Sequence, residues 1–335
     1  MTRFLIVLTA IIATIFAAQV SAQEEAFAIG GNQIAPGTRS DFRLIVPALG
    51  EEPETFIPVT VFHGDEPGPV LAAVAGVHGF EFAPIIAADR LAGRIDAEEL
   101  SGTLILVRVA NINGFEGLSP NVNPVDRKNL NRVFPGSPTG TQTERIADVI
   151  SREVVARADF LMDMHSGDGV EFLEPFIGVY GGPLATDFDR ALEVARGFGF
   201  PNLVRYSMNT QEQVEIGQNG SREEEHVEAI AAGVKDALSI LGLWQRPQQK
   251  VPPALRLFEN TTGVSASHSG LFTPTAIGGR YVWEGDLIGT ITDYSGAEVE
   301  RLYVPVDGYT LYGFQGPSVT AGSGVLTIGN PIDEF

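Results

Sequence analysis

The chain of 335 residues contains no cysteine. That excludes disulfide staples, cysteine nucleophiles and thiolate metal sites, and leaves any metal to histidine and carboxylate ligands. Histidine is scarce too: there are five, so each can be weighed on its own setting. Positive charge is short, with 22 lysines and arginines against 42 aspartates and glutamates, a formal net charge of −20. Such a field repels nucleic acid and anionic membrane surfaces, and neither is expected as a partner. Low charge content does not mean disorder, because 44 % of the residues are hydrophobic and 19 % charged, the balance of a chain with a substantial core. A chain of this size can build such a core without disulfides.

Beyond the first 22 residues no apolar run is long enough to cross a bilayer. The first 22 have their own logic. Met1-Thr2-Arg3 is a short basic start, Phe4 to Ala18 is almost continuously apolar, and Val20-Ser21-Ala22 offers a small-x-small cleavage pattern. A secretory signal peptide over residues 1–22, cleaved after Ala22, is therefore expected, with export to the periplasm or the medium and no membrane attachment afterwards.

Residues 40–243 alternate two kinds of stretch. Short apolar runs bounded by turn residues ("FIPVTVFHG", "PVLAAVAGVHG", "GTLILVRVANI", "ADFLMDMHSG") read as strands. Three- and four-residue apolar spacing predicts helices over Phe82–Leu91, Thr143–Arg157, Ala185–Phe198 and Arg222–Leu241, with Thr143 as a helix start. The pattern predicts an α/β domain with a largely parallel or mixed sheet flanked by helices. "WQRPQQKVPPALR", residues 244–256, reads as a linker, and 257–335 as a small all-β module.

The pattern H-G-x-E occurs twice within 19 residues, at His63–Glu66 and at His78–Glu81. Glu66 is followed at once by Pro67-Gly68-Pro69, so no helix can start there and hold its carboxylate; that copy reads as a tight connection between strands. His78 ends a buried strand and Glu81 opens a helix, a rigid junction from which both side chains can converge on one ion. "FLMDMHSG" repeats the logic by ending a strand in His165. Two histidines and one carboxylate, leaving a position for water, is the ligand set of a catalytic rather than a structural zinc. Asp163 is a candidate to orient His165 from behind. His226, in "REEEHVEAI", reads as a solvated helix face, and His268 has no ligand-like setting.

Four motifs in order, "GVHGFE", "NLNRVFPG", "MDMHSGD" and "VEIGQNG", resemble the succinylglutamate desuccinylase/aspartoacylase family, over roughly residues 40 to 330. The resemblance implies a zinc carboxypeptidase-like fold with a C-terminal β module and one zinc per chain on His78, Glu81 and His165. It implies Glu215 as the general base, and Asn131 with Arg132 binding a substrate carboxylate, for which a guanidinium fork is well suited. The implied reaction is hydrolysis of an acyl amide or ester bond in a small carboxylate-bearing substrate. An exported zinc carboxypeptidase acting on peptides or cell-wall fragments, and a non-catalytic metal- or ligand-binding homologue, are the alternatives. Two features depart from the family's pattern: no arginine precedes Arg127 in "GFEGLSPNVNPVDRK", and the stretch leading to Glu215 is short.

Overall fold

The computed structural model describes residues 25–181, 187–207, 224–245, 254–275 and 278–334. The expected signal peptide and Glu215 lie outside these residues. After a small hairpin (β1, Phe27–Ile29; β2, Asn32–Ile34) come β3 (Thr38–Val46), β4 (Thr55–His63), β5 (Glu66–Ala75), α1 (Phe82–Ala92), β6 (Ser101–Val107), α2 (Ile112–Glu116) and α3 (Gln142–Glu153). Then follow β7 (Phe160–Met164), β8 (Glu171–Leu173), β9 (Phe176–Gly181), α4 (Phe188–Gly197), β10 (Asn202–Ser207) and α5 (Glu224–Ile240).

Five of these strands form a mixed sheet in the order β3-β4-β6-β5-β7. Strand β5 lies inside the sheet, between β6 and β7, and its Leu71, Ala72, Ala73 and Ala75 are fully buried because helices cover both faces. One face packs on α1, α4 and α5 through residues such as Ala83, Ala87, Leu91, Val194, Val227 and Val234. The other packs on α3 through Ile146, Ala147, Val149 and Ile150. Strands β5 and β7 run parallel with Ala75 opposite Met164. Their carboxyl ends therefore open at the same edge, and His78 and His165 emerge side by side.

Two helix starts differ from the expected ones. Helix α3 begins at Gln142, because Thr141 caps it: its backbone N–H donates to Glu144 Oε2 at 2.8 Å in a reciprocal capping box. Thr143 lies inside the first turn and gives its hydroxyl to Asp126 instead. Helix α4 starts at Phe188, where the Asp187 carboxylate accepts from the Arg190 N–H.

The remaining strands are β11 (Arg256–Ser265), β12 (Gly270–Pro274), β13 (Tyr281–Val282), β14 (Leu287–Thr292), β15 (Glu298–Tyr303), β16 (Gly308–Phe314), β17 (Ser318–Val319) and β18 (Gly324–Ile332). This C-terminal region is all-β and has a core of its own around Phe272, Val282, Ile288, Ile291 and Ile328. A four-stranded sheet, β15-β14-β12-β17, belongs to it alone. The larger sheet is shared with the α/β part: β13-β16-β18-β11 continues through β10 to β9, with β8 paired to β16. The fold is thus mixed α/β with a curled sheet, few helices and a C-terminal all-β region. Trp244 is buried, and its indole N–H donates to Glu99, which packs the end of α5 against the sheet.

Candidate metal centre

Three side chains meet at the edge where β5 and β7 end. His78, Glu81 and His165 are each more than nine-tenths buried, and one ligand atom from each lies within 4.8 Å of the others. The Glu81 carboxylate stands between the rings: Oε1 is 2.7 Å from His78 Nδ1 and Oε2 is 3.0 Å from His165 Nδ1. Glu81 immediately precedes α1 yet makes no cap bond to it. Its carboxylate is turned to the histidines, with the Ser166 N–H also donating to Oε2 at 3.2 Å.

The local backbone explains the arrangement. Gly76 leaves β5 with φ +71°, a conformation open to glycine. At Gly79 the chain presses on α2 so closely that a Cβ would stand 2.0 Å from the Gly114 carbonyl carbon. A glycine between His78 and Glu81 is therefore a packing requirement.

Outer partners fix which ring nitrogens face inward. His78 Nε2 donates to Asn129 Oδ1 at 3.0 Å, and the same oxygen accepts from the Asn131 backbone N–H at 2.8 Å. Two donors on one atom identify it as the amide oxygen. His165 Nε2 donates to Asp163 Oδ2 at 3.0 Å. Both rings are held by Nε2–H, and in their neutral form both offer the Nδ1 lone pair toward Glu81. Asp163 is buried, and its other oxygen, Oδ1, has no hydrogen-bond partner among the described residues, so the contact that accounts for this buried carboxylate is the one to His165.

The three charges are strongly coupled. Burial disfavours a charged His78, but the Glu81 charge and hydrogen bond outweigh it and raise the pKa above its ordinary value. At His165 burial is again opposed, here by Asp163 and Glu81 together, and the pKa is raised well above the ordinary value. Burial alone would raise Glu81; the two imidazoles outweigh it and hold the carboxyl well below its usual range. A divalent cation would compete with protons for the Nδ1 positions. Two imidazole nitrogens and one carboxylate, with both rings fixed from behind, fit zinc.

Asn131 and Arg132 sit in the 3₁₀ turn Leu130–Arg132, whose first bond is the Asn129 side chain accepting from Asn131 N–H. They are one side chain removed from the His78 ring. Arg132 is exposed, donates to the Asn131 carbonyl at 2.9 Å, and forms no ion pair among the described residues. Arg127 lies on the turn before it, exposed and with φ 59°. His63 belongs to another place altogether: its ring is buried between the Thr103 hydroxyl at 2.9 Å and the Glu25 carbonyl at 3.0 Å. His268 is exposed beside Glu300, and His226 lies half-buried on α5. Sequence reasoning missed Asn129; its signal is the first asparagine of N-L-N-R, two positions before Asn131, where a side chain closes a turn on its own backbone.

A buried His–Glu–His set at the strand ends of a mixed α/β sheet is a candidate metal centre. Comparison with known proteins shows the family to which such a chain belongs. Residues 67–235 match the family model described as the succinylglutamate desuccinylase/aspartoacylase catalytic domain. The chain is 30 % identical over 256 residues to the N-alpha-acetyl-L-2,4-diaminobutyric acid deacetylase of Halomonas elongata, spanning 71 % of this chain and 74 % of that protein. It is also similar to the crystal structure of a succinylglutamate desuccinylase/aspartoacylase from Rhodobacter sphaeroides, at 26 % identity and TM-score 0.77, over 88 % of this chain and 96 % of that one. An aspartoacylase family protein of Mesorhizobium loti matches at 25 % identity and TM-score 0.72, over 90 % and 96 %. The chain belongs to the succinylglutamate desuccinylase/aspartoacylase family, a family of deacylases that act on N-acyl amino acids.

Proposed function

We propose that the protein is an exported zinc-dependent deacylase that hydrolyses the acyl amide bond of a small N-acyl amino acid. The observation that carries this is the convergence of His78 Nδ1, His165 Nδ1 and the Glu81 carboxylate, with both rings locked from behind. Zinc, when bound, supplies Lewis acidity, making a water acidic near neutral pH and polarising the acyl carbonyl. The chain's residues do the rest. Asn129 and Asp163 keep both imidazoles in the tautomer that leaves Nδ1 free. Arg132, exposed and without an ion-pair partner among the described residues, takes the substrate carboxylate as a fork, and Asn131 adds a donor. Glu215, from the motif "VEIGQNG", accepts the water's proton and returns it to the leaving amine. The basic start, apolar run and cleavage pattern of residues 1–22 support export.

The test is hydrolysis by zinc-loaded protein of a panel of N-acyl amino acids, including the diaminobutyrate derivative of the Halomonas relative, beside peptides with free carboxyl ends. Release of acyl group from the former, abolished in Glu215→Gln, supports the reading. Cleavage of peptides alone would identify a carboxypeptidase. Stoichiometric zinc without any turnover would identify a binding protein.

A further inference from the structure

The C-terminal β region approaches the site through an element that the reading above leaves unused. Strand β8 starts six residues after His165 and is paired with β16, Tyr312 opposite Leu173 and Phe314 opposite Glu171. Backbone bonds extend the pairing at both ends: the Glu174 N–H donates to the Leu311 carbonyl at 2.7 Å and the Gln315 N–H to the Val170 carbonyl at 2.8 Å. The loop between His165 and β8 reads Ser166-Gly167-Asp168-Gly169-Val170, and with two glycines in five residues it has little stiffness of its own.

Its order comes from tethers. At one end the Ser166 N–H donates to the ligand Glu81. In the middle Gly169 lies against Phe80, so that a Cβ there would stand 2.8 Å from the ring, and Phe80 is flanked by His78 and Glu81. At the other end the Tyr312 hydroxyl donates to Glu171 Oε1 at 2.9 Å, while Glu171 Oε2 accepts from the Asp168 N–H at 3.1 Å. Asp168 is 5 % exposed. Its Oδ1 accepts from the Val170 N–H at 3.1 Å, and its Oδ2 accepts nothing from the described residues. Asp168 is within electrostatic reach of both Glu81 and His78.

Resting on the hydrolytic reading above, we propose that Tyr312 is a positioning residue of this site: through Glu171 it holds the 166–170 loop so that Asp168 presents its unused oxygen to an N–H donor of the bound substrate. The β region is then a working wall of the site. Tyr312 touches neither the metal ligands nor the substrate, so its loss leaves zinc in place and loosens the substrate contact.

Zinc-loaded full-length Tyr312→Phe, Asp168→Asn and the double variant test this, with Tyr309→Phe as control. Tyr309 is on the same strand, but its hydroxyl donates at 2.8 Å to the Gly279 carbonyl, away from the loop. Removing a hydrogen bond to a charged group predicts a KM for the N-acyl substrate raised about tenfold in Tyr312→Phe, with kcat nearly unchanged and zinc stoichiometric. Asp168→Asn raises KM alone, and adding Tyr312→Phe to it has little further effect. Amide exchange over residues 166–171 accelerates about tenfold in Tyr312→Phe and not in Tyr309→Phe. An unchanged KM, additive variants, or equal effects of the two tyrosines would overturn the proposal. If the wild type hydrolyses no substrate, the hydrolytic reading fails, and the exchange measurement still decides whether Tyr312 orders the loop: unchanged exchange in Tyr312→Phe sinks the tether as well.

Discussion

Replacing Asn129 by alanine tests the metal centre without touching a ligand. The Asn129 side-chain oxygen accepts from His78 Nε2–H at 3.0 Å and from Asn131 N–H at 2.8 Å. In Asn129→Ala the His78 ring, 8 % exposed, loses its outer partner. A buried donor left unpaired costs about 1–3 kcal/mol. Loss of the partner behind a metal-ligating histidine lowers metal affinity roughly 10- to 100-fold, or about 1.4–2.8 kcal/mol at roughly 1.4 kcal/mol per factor of ten. The two estimates overlap, so zinc affinity measured against a chromophoric chelator should fall by one to two orders of magnitude, estimated from the same rule. Asn129→Asp keeps an acceptor at the same position and should restore most of the affinity. If Asn129→Ala bound zinc as tightly as the wild type, His78 would not be oriented through Nε2, and the assignment of Nδ1 as the ligand atom would fail.

Gly79→Ala should cost more than the usual overpacking penalty of about 1–3 kcal/mol, because its Cβ meets backbone rather than a side chain that can move; urea unfolding and zinc content should both report the loss. His63→Ala should lose about 1–3 kcal/mol of stability with the bonds to Thr103 and Glu25, and retain full zinc binding. Zinc affinity should rise with pH, and continue to rise above 6.5, because the raised pKa values of His78 and His165 keep protons on Nδ1 that the ion must displace. The metal-free protein should show the opposite trend in the triad's own contribution to stability. The raised histidines contribute fully below the unfolded value near 6.5, and this is lost as pH rises through their folded values. Glu81, depressed, contributes above about 4.5 and loses it as pH falls through its folded value, so the difference between wild type and Glu81→Gln should peak between these limits.

That His78, Glu81 and His165 meet was legible because each is announced locally. A buried strand ends in His78, Glu81 opens the next helix, and another strand ends in His165. What brings the two strands together is their parallel register, and the alternation of strands and helices already points to such a sheet. The contrast with His63 was legible too, since the prolines after Glu66 allow no helix there. Asn129 was not: its partner is 51 positions away, and nothing in a turn motif says which ring its oxygen will meet. The Tyr312–Glu171 contact spans 141 positions, beyond any local pattern. Periodicity likewise showed strands after residue 256, but period-two alternation does not name a strand's neighbour. That β11 pairs in parallel with β10 emerges only from the structure. At α3 the expected start, Thr143, lies past the cap; the reciprocal bond to Glu144 makes Thr141 the capping residue.

If His78, Glu81 and His165 hold one zinc ion that serves deacylation, bound metal per chain and acyl release from N-acyl amino acids should change together in single preparations of the wild type, His165→Ala and His63→Ala. One zinc and turnover are expected in the wild type and in His63→Ala, and neither in His165→Ala. Zinc and turnover that survive in His165→Ala but vanish in His63→Ala would contradict this assignment.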